Sequence, residues 1–178
     1  MIQYRRVLPV LLLLLVQATP LWALSESDLE VIGRRYGVSP ELLQAISIVE
    51  SQEGRLTGTH EVWKVVNATQ LKFLQKIGRH TGRSLTEFTG SYAGAMGYMQ
   101  IIPSTFFRYA QDGDGDGIKD PLNPYDSVAT AALFLAREMT RKESVKGALR
   151  SYNNSSAYVA KVFHLYQTLQ SGNALASR

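Results

Sequence analysis

Glu50 is the first side chain whose placement suggests chemistry. It lies in the run 40–52, where Leu42, Leu43, Ile46 and Val49 mark one face of a helix. Glu50 follows Ile46 by four residues and Leu43 by seven, so it shares that face. A carboxyl group on an apolar stripe loses hydration, which favours its protonated form and raises its pKa. A carboxyl kept protonated near neutral pH can serve as general acid in cleaving a glycosidic bond. The residue also reads as a half-solvated carboxylate at a helix end, paired with Arg55, and Glu53 is a second acid one turn on, beside the terminating Gly54.

A second acidic group, running from Asp112 to Asp126, has the spacing of a cation loop. Asp112, Asp114 and Asp116 occupy positions one, three and five, and Gly117 occupies position six. That pattern begins an EF-hand calcium loop, in which hard oxygen ligands converge on Ca²⁺ and position seven, here Ile118, offers its backbone carbonyl. Position twelve is Asn123, where a bidentate glutamate is usual, and Asp126 at position fifteen is the expected replacement. The same residues also read as a solvated Asp/Gly turn. Three aspartates on alternate residues repel one another unless a cation sits between them, which favours a structural Ca²⁺. The flanking short helices favour a structural over a switching role.

Two further stretches offer polar and aromatic surface. Residues 90–103 set Ala93, Gly94, Ala95 and Gly97 among Tyr92, Tyr98 and Gln100, with neither a helical nor a strand period. Glycines there suit either close helix packing or the approach of a flat polar ligand. Tyr152, Asn153 and Tyr158 fall between two helical runs. Their broad faces, hydroxyls and two-way amide suit sugar rings and N-acetyl groups, although a helix cap at Ser155 explains much of the same stretch. His60, His80 and His164 are scattered without ligand-like spacing.

The elements that must hold these groups are helices. The pattern Ser27-Asp-Leu-Glu30 predicts a capping box opening a helix that stops at Gly37, and Ser39-Pro40 opens the next. Helical periods cover 69–78, 103–109, 123–139, 144–152 and 156–169. Loops are expected at 54–66, 79–102 and 111–123, and the chain after Ser171 is expected to fray. No run alternates as a strand does, so the class is all-α with at most a minimal β element.

Residues 1–23 combine a basic start at Arg5 and Arg6, a short apolar run and a small residue at Ala23, the pattern of a secretory signal peptide that is either cleaved after about Ala23 or kept as an anchor. The division expected is a signal peptide over 1–23, one domain over 24–172 and a flexible tail over 173–178. Removal of the first 23 residues leaves 155 and lowers the formal net charge from +4 to +2. That is one domain with chain enough for a core, and the charge suits an anionic polymer while lacking the footprint of a nucleic-acid binder. There are no cysteines, so an exported form relies on its core and a metal in place of disulfides.

Three blocks taken together resemble the lytic transglycosylases of bacterial cell walls, most closely the B-type enzymes with a lysozyme-like domain. They are residues 45–54 around Glu50, residues 90–104 running on to the acidic loop, and Ser151-Tyr-Asn-Asn-Ser155. The resemblance spans about residues 30–168. It implies Glu50 as the single acid/base, and Ser91, Gln100, Tyr152 and Asn153 lining a glycan cleft with Tyr98 and Tyr158 as cleft aromatics. It further implies Ca²⁺ bound by Asp112, Asp114, Asp116, Ile118 and Asp126, with no organic cofactor. The implied reaction cleaves the β-1,4 bond between N-acetylmuramic acid and N-acetylglucosamine without water, leaving a 1,6-anhydro end. A lysozyme-type hydrolase on the same fold and a non-catalytic wall-binding protein are the alternatives. The expected partner is peptidoglycan, met by a monomer in the periplasm or outside the cell, and small exported relatives often accompany secretion or conjugation machines. The segment between Glu50 and Ser91 is compact, and Arg79 and Arg83 are its candidates for a cleft-wall arginine.

Overall fold

The computed structural model describes residues 24–176, with side chains through Ala174. The expected signal segment, residues 1–23, lies outside the described residues, as do positions 177–178 of the expected tail. Among the described residues, eight α-helices run α1 Glu26–Tyr36, α2 Pro40–Ser51, α3 Val62–Val65, α4 Ala68–Thr81, α5 Pro103–Tyr109, α6 Pro124–Lys142, α7 Val145–Tyr152 and α8 Ser156–Ala176. A 3₁₀ turn covers Leu85–Glu87, and two strands, β1 His60–Glu61 and β2 Thr89–Gly90, pair antiparallel.

Local signals set most of the boundaries. Pro103 and Pro124 open α5 and α6 because a first-turn proline gives up no intrahelical hydrogen bond. The capping box of α1 is built from Ser25 and Asp28, two residues earlier than the Ser27-Glu30 pair predicted from sequence. Ser25 Oγ accepts from the Asp28 N–H at 3.2 Å, and Asp28 accepts from the Ser25 N–H at 2.9 Å. Ser39 stands at the cap of α2 but gives no side-chain cap bond; its hydroxyl donates to Glu41 instead. The last helix continues to Ala176 where fraying was expected, and Asn173 donates from Nδ2 to Glu41 at 3.2 Å, tying that end to the start of α2.

α6 is the central element. Val128, Ala129, Ala131, Ala132 and Leu135 are buried along it, and it packs on α1, α5 and α7 and touches α2. Small alanines let its neighbours come close. Helix α2 lies between α1 and α8, burying Leu42, Leu43, Ala45 and Ile46. Helices α4 and α5 form a second pair on the other side of α6.

The connection expected as loops at 54–66 and 79–102 contains the β1–β2 pair and α3. Single bridges Gly90–Met96 and Met96–Ile101 continue the pairing into the glycine-rich stretch. Each strand is two residues long, too short to show a period of two. Gly97 shows why the stretch needs glycine: its φ is +69°, and a Cβ there would lie 1.9 Å from the Pro121 carbonyl oxygen. The glycine-rich stretch thus sits directly on the exit of the acidic loop.

Gly97→Ala should combine left-handed strain with that backbone clash, costing about 3 kcal/mol or more. A drop in thermal midpoint of roughly 6–12 °C relative to the parent is expected, and calorimetry measures it.

Candidate active site

The turn Tyr98–Gln100 is held by three hydroxyls from three helices. Ser51 at the end of α2 donates to the Tyr98 carbonyl at 2.7 Å. Ser127 in α6 accepts from the Met99 N–H at 3.0 Å. Tyr152 at the end of α7 donates to the Met99 carbonyl at 2.6 Å. Gln100 adopts a left-handed backbone with φ +48°, and its Nε2 donates to the carbonyls of Thr57 and Gly97, both at 2.9 Å. Those two bonds hold a conformation that a non-glycine residue otherwise resists.

Glu50 precedes Ser51 at the C-terminal end of α2, where the helix dipole disfavours negative charge. Its carboxyl is half-buried, and desolvation pushes its pKa up to about 7. The Tyr158 hydroxyl, from the first turn of α8, opposes that rise in part. It lies near enough to act on Glu50 but makes no hydrogen bond of normal geometry, and is a buried polar atom without a partner. Burial first, and the neighbouring Glu50 charge second, raise the Tyr152 and Tyr158 phenols well above their ordinary values. The acid therefore faces two protonated tyrosines.

Tyr152 also lines a cavity of about 140 Å³ with Gln100, Ile101, Ile102, Thr105, Ala131, Phe134 and Ser151. Glu50 is not one of its lining residues; Tyr152 joins the two. The Tyr152 ring meets Phe134 edge-on at 5.5 Å, which fixes its plane.

The other residues singled out from sequence divide. Ser91 Oγ accepts from the Ala95 N–H at 3.2 Å, closing the turn at the start of the glycine-rich stretch. Asn153 is exposed at the end of α7, and its Oδ1 accepts from the Ser155 N–H at 3.1 Å. Tyr98, expected among the cleft aromatics, is only 3 % exposed and belongs to the core, where burial moves its phenol up to about 12. It cannot offer its face to a sugar in this conformation. Tyr92 is instead 80 % exposed at the edge of the same stretch. Arg83 binds Asp120 at 2.6 Å and Glu87 at 3.3 Å, so it braces the loop exit and is not free for a cleft wall. Arg79 is exposed and shares an open groove with Arg83. Ser51 and Ser127 were not singled out; a helical serine shows its partner only when the fold is known.

In the acidic loop, carboxyl oxygens of Asp112, Asp114 and Asp126 lie within 4.8 Å of one another. Asp116 stands outside that group, its Oδ1 accepting from the Ile118 N–H at 2.7 Å. Asn123, at the usual glutamate position, caps α6 and donates from Nδ2 to Asp114 at 2.7 Å. Asp126 is fully buried and accepts from the N–H groups of Gly113 and Asp120, both at 2.7 Å. Burial pushes its pKa up to about 6, and the charges of Asp114 and Asp112 add to that rise. Backbone donors, led by Gly117, hold Asp112 below its ordinary value. Three converging hard-oxygen donors with a buried, electrostatically crowded carboxyl fit a Ca²⁺ ion.

The family model described as "Transglycosylase SLT domain" matches residues 14–147. Membrane-bound lytic murein transglycosylase B of Escherichia coli (strain K12) is 29% identical over 126 residues, which is 64% of this chain and 35% of that protein. The chain therefore spans about a third of the length of this curated relative. Among solved structures, the Escherichia coli lytic transglycosylase SLT35 in complex with calcium superposes with a TM-score of 0.73 at 19% identity, covering 84% of this chain and 72% of that one. SltB3 of Pseudomonas aeruginosa in complex with NAG-anhNAM-pentapeptide gives a TM-score of 0.70 at 23% identity, covering 80% and 60%. At these identities the likeness carries the fold.

Because the Glu50 pKa is raised from 4.5 to about 7, the folded state holds a proton there that the unfolded state releases. Its contribution to stability is fully present below pH 4.5 and is lost as pH rises to about 7. Glu50→Gln should flatten that part of the stability curve and raise the unfolding free energy at pH 8 by about 1–3 kcal/mol. Denaturant titrations between pH 4.5 and 8 give the comparison.

Proposed function

The chain belongs to the SLT transglycosylase domain family, and from that premise we propose that it is a peptidoglycan lytic transglycosylase using Glu50 as its single acid/base. One observation carries the assignment: a carboxyl pushed up to about 7 stands beside two partly buried tyrosines, of which Tyr152 also lines a cavity. At neutral pH such a group is poised both to give and to take a proton.

The glycan would run past Tyr152 from the cavity, bringing the β-1,4 bond between N-acetylmuramic acid and N-acetylglucosamine to Glu50. Glu50 donates its proton to the leaving O4 as the C1–O4 bond breaks, and the substrate's own N-acetyl group stabilises the developing cation. The Glu50 carboxylate then takes the proton of the C6 hydroxyl as O6 bonds to C1. The 1,6-anhydro ring closes, the acid is regenerated and no water is consumed. Closure within one sugar gains its rate from proximity.

Tyr152 supplies an aromatic wall whose hydroxyl is committed to Met99, so its ring and not its proton meets the sugar. The Tyr158 hydroxyl has no surface left for a substrate and would act by orienting the neighbouring Glu50 carboxyl. Ser91, Gln100 and Asn153 would supply polar contacts to the glycan. Tyr98 acts from beneath, filling the core under the turn.

Asp112, Asp114 and Asp126 would hold Ca²⁺, with the Ile118 carbonyl and Asp116 at the outer edge. The ion would neutralise the loop and brace Pro121 against Gly97. A signal peptide over residues 1–23 and a wall substrate support action in the periplasm or outside the cell. No helix among the described residues is long and apolar enough to cross a membrane.

Digestion of purified wall should yield fragments with 1,6-anhydro ends, detected by mass analysis as products lacking one water; reducing muramic acid ends alone would mark a hydrolase. Glu50→Gln should lower the rate by about a thousandfold. Since the protonated form starts the reaction, activity should fall about tenfold per pH unit above pH 7, read from a pH–rate profile. Chelator should lower the thermal midpoint by several degrees and added Ca²⁺ restore it, whereas Asp126→Asn should not respond.

A further inference from the structure

A second cavity lies on the far side of α5 from the first. About 350 Å³ in volume, it is floored by Ile77, Phe106, Phe107 and Leu133 and rimmed by His80, Arg108, Lys119 and Arg137. None of its lining residues is a carboxylate. None of the three fixed cations is ion-paired among the described residues. Arg137 stacks over Tyr109 at 5.5 Å, and Lys76 lies 5.1 Å from the Phe107 ring, adding positive charge beside the floor. Phe107 remains 45 % exposed. The Lys119 N–H donates to His80 Nε2 at 3.3 Å, which fixes that part of the rim to the acidic loop.

This cavity connects with the candidate active site. A polar groove of about 260 Å³ shares Thr105, Phe134 and Ser151 with the cavity beside Tyr152, and shares Arg108 with the basic cavity. Arg108 therefore stands on the saddle between them. A ligand seated over Tyr152 can hang a side branch across Arg108 and into the basic cavity without leaving the surface.

We propose that the His80–Arg108–Lys119–Arg137 cavity binds the carboxylates of a short peptide with small aliphatic side chains, the chemistry of the stem peptide carried by muramic acid. The inference rests on the proposed wall substrate for the identity of the peptide, while the basic rim and apolar floor stand on their own. Unpaired guanidinium and ammonium groups favour carboxylates, which they bind through charge-assisted hydrogen bonds. The phenylalanine floor takes the aliphatic side chains between them. A cavity of this size accommodates a few residues and is concave, unlike a surface that lies on lipid.

The probe is a synthetic stem tetrapeptide, free of glycan, titrated into the full chain and followed by amide chemical shifts. Shifts should cluster at His80, Arg108, Lys119 and Arg137, weaken with added salt and vanish when the peptide's carboxylates are amidated. The double variant K119E/R137E changes two exposed side chains and should bind about tenfold more weakly or worse, the loss expected of one or more charge-assisted contacts. Equal binding of the amidated peptide, shifts confined to Tyr152 and Tyr158, or no shift at millimolar peptide would overturn the proposal. So would binding to phosphatidylglycerol vesicles in place of the peptide. Because no bond is cleaved in this assay, its outcome is separate from that of the wall digestion.

Discussion

The arrangement of the site depends on the capture of one short turn. The Tyr98–Gln100 backbone offers two carbonyls and an N–H in the protein interior, groups that cost free energy unless paired. Ser51, Ser127 and Tyr152 pair them from α2, α6 and α7. Each of those residues in turn fixes something else. Ser51 sets the end of the helix that carries Glu50, and also accepts from the Gly54 N–H at 2.8 Å, turning the chain away. Tyr152 becomes a wall of the cavity, and Ser127 follows directly on Asp126 of the acidic cluster. One set of hydrogen bonds thereby relates the acid, the aromatic wall and the acidic loop.

Around that frame, the electrostatics of the two acidic centres diverge. Glu50 is raised by loss of water, with tyrosines as its neighbours. Asp126 is raised by burial and by like charge, while backbone donors oppose the rise. The first environment keeps a proton on the carboxyl up to about neutral pH. The second favours replacing protons with a divalent cation, because its neighbours are also carboxylates. Similar shifts in pKa thus have different uses, decided by what surrounds each group.

Much of this was legible in the residues alone. The proline starts of α5 and α6, the apolar stripe of α2 and the Asp spacing of the loop all act over a few positions, and sequence shows such local patterns directly. The start of α1 was misplaced because Ser27-Glu30 imitates the same box that Ser25 and Asp28 form. The β1–β2 pair and α3 escaped because two- and four-residue elements have no period to detect. Tyr98 and Tyr92 could not be told apart by type; which one is buried depends on how the glycines turn the chain. The three-hydroxyl capture of the turn joins residues 28 to 53 positions apart, a separation that leaves no local trace.

The packing of α8 on α2 bears on when the site comes into being. Glu50 and Tyr158 meet only after more than a hundred intervening residues have been ordered, and contacts of such separation form late because loop closure precedes their reward. Until α8 docks, Glu50 stands at the end of a helix open to water on that side, without the full burial that raises its carboxyl. The surroundings that raise Glu50 are therefore among the last parts of the fold to be completed.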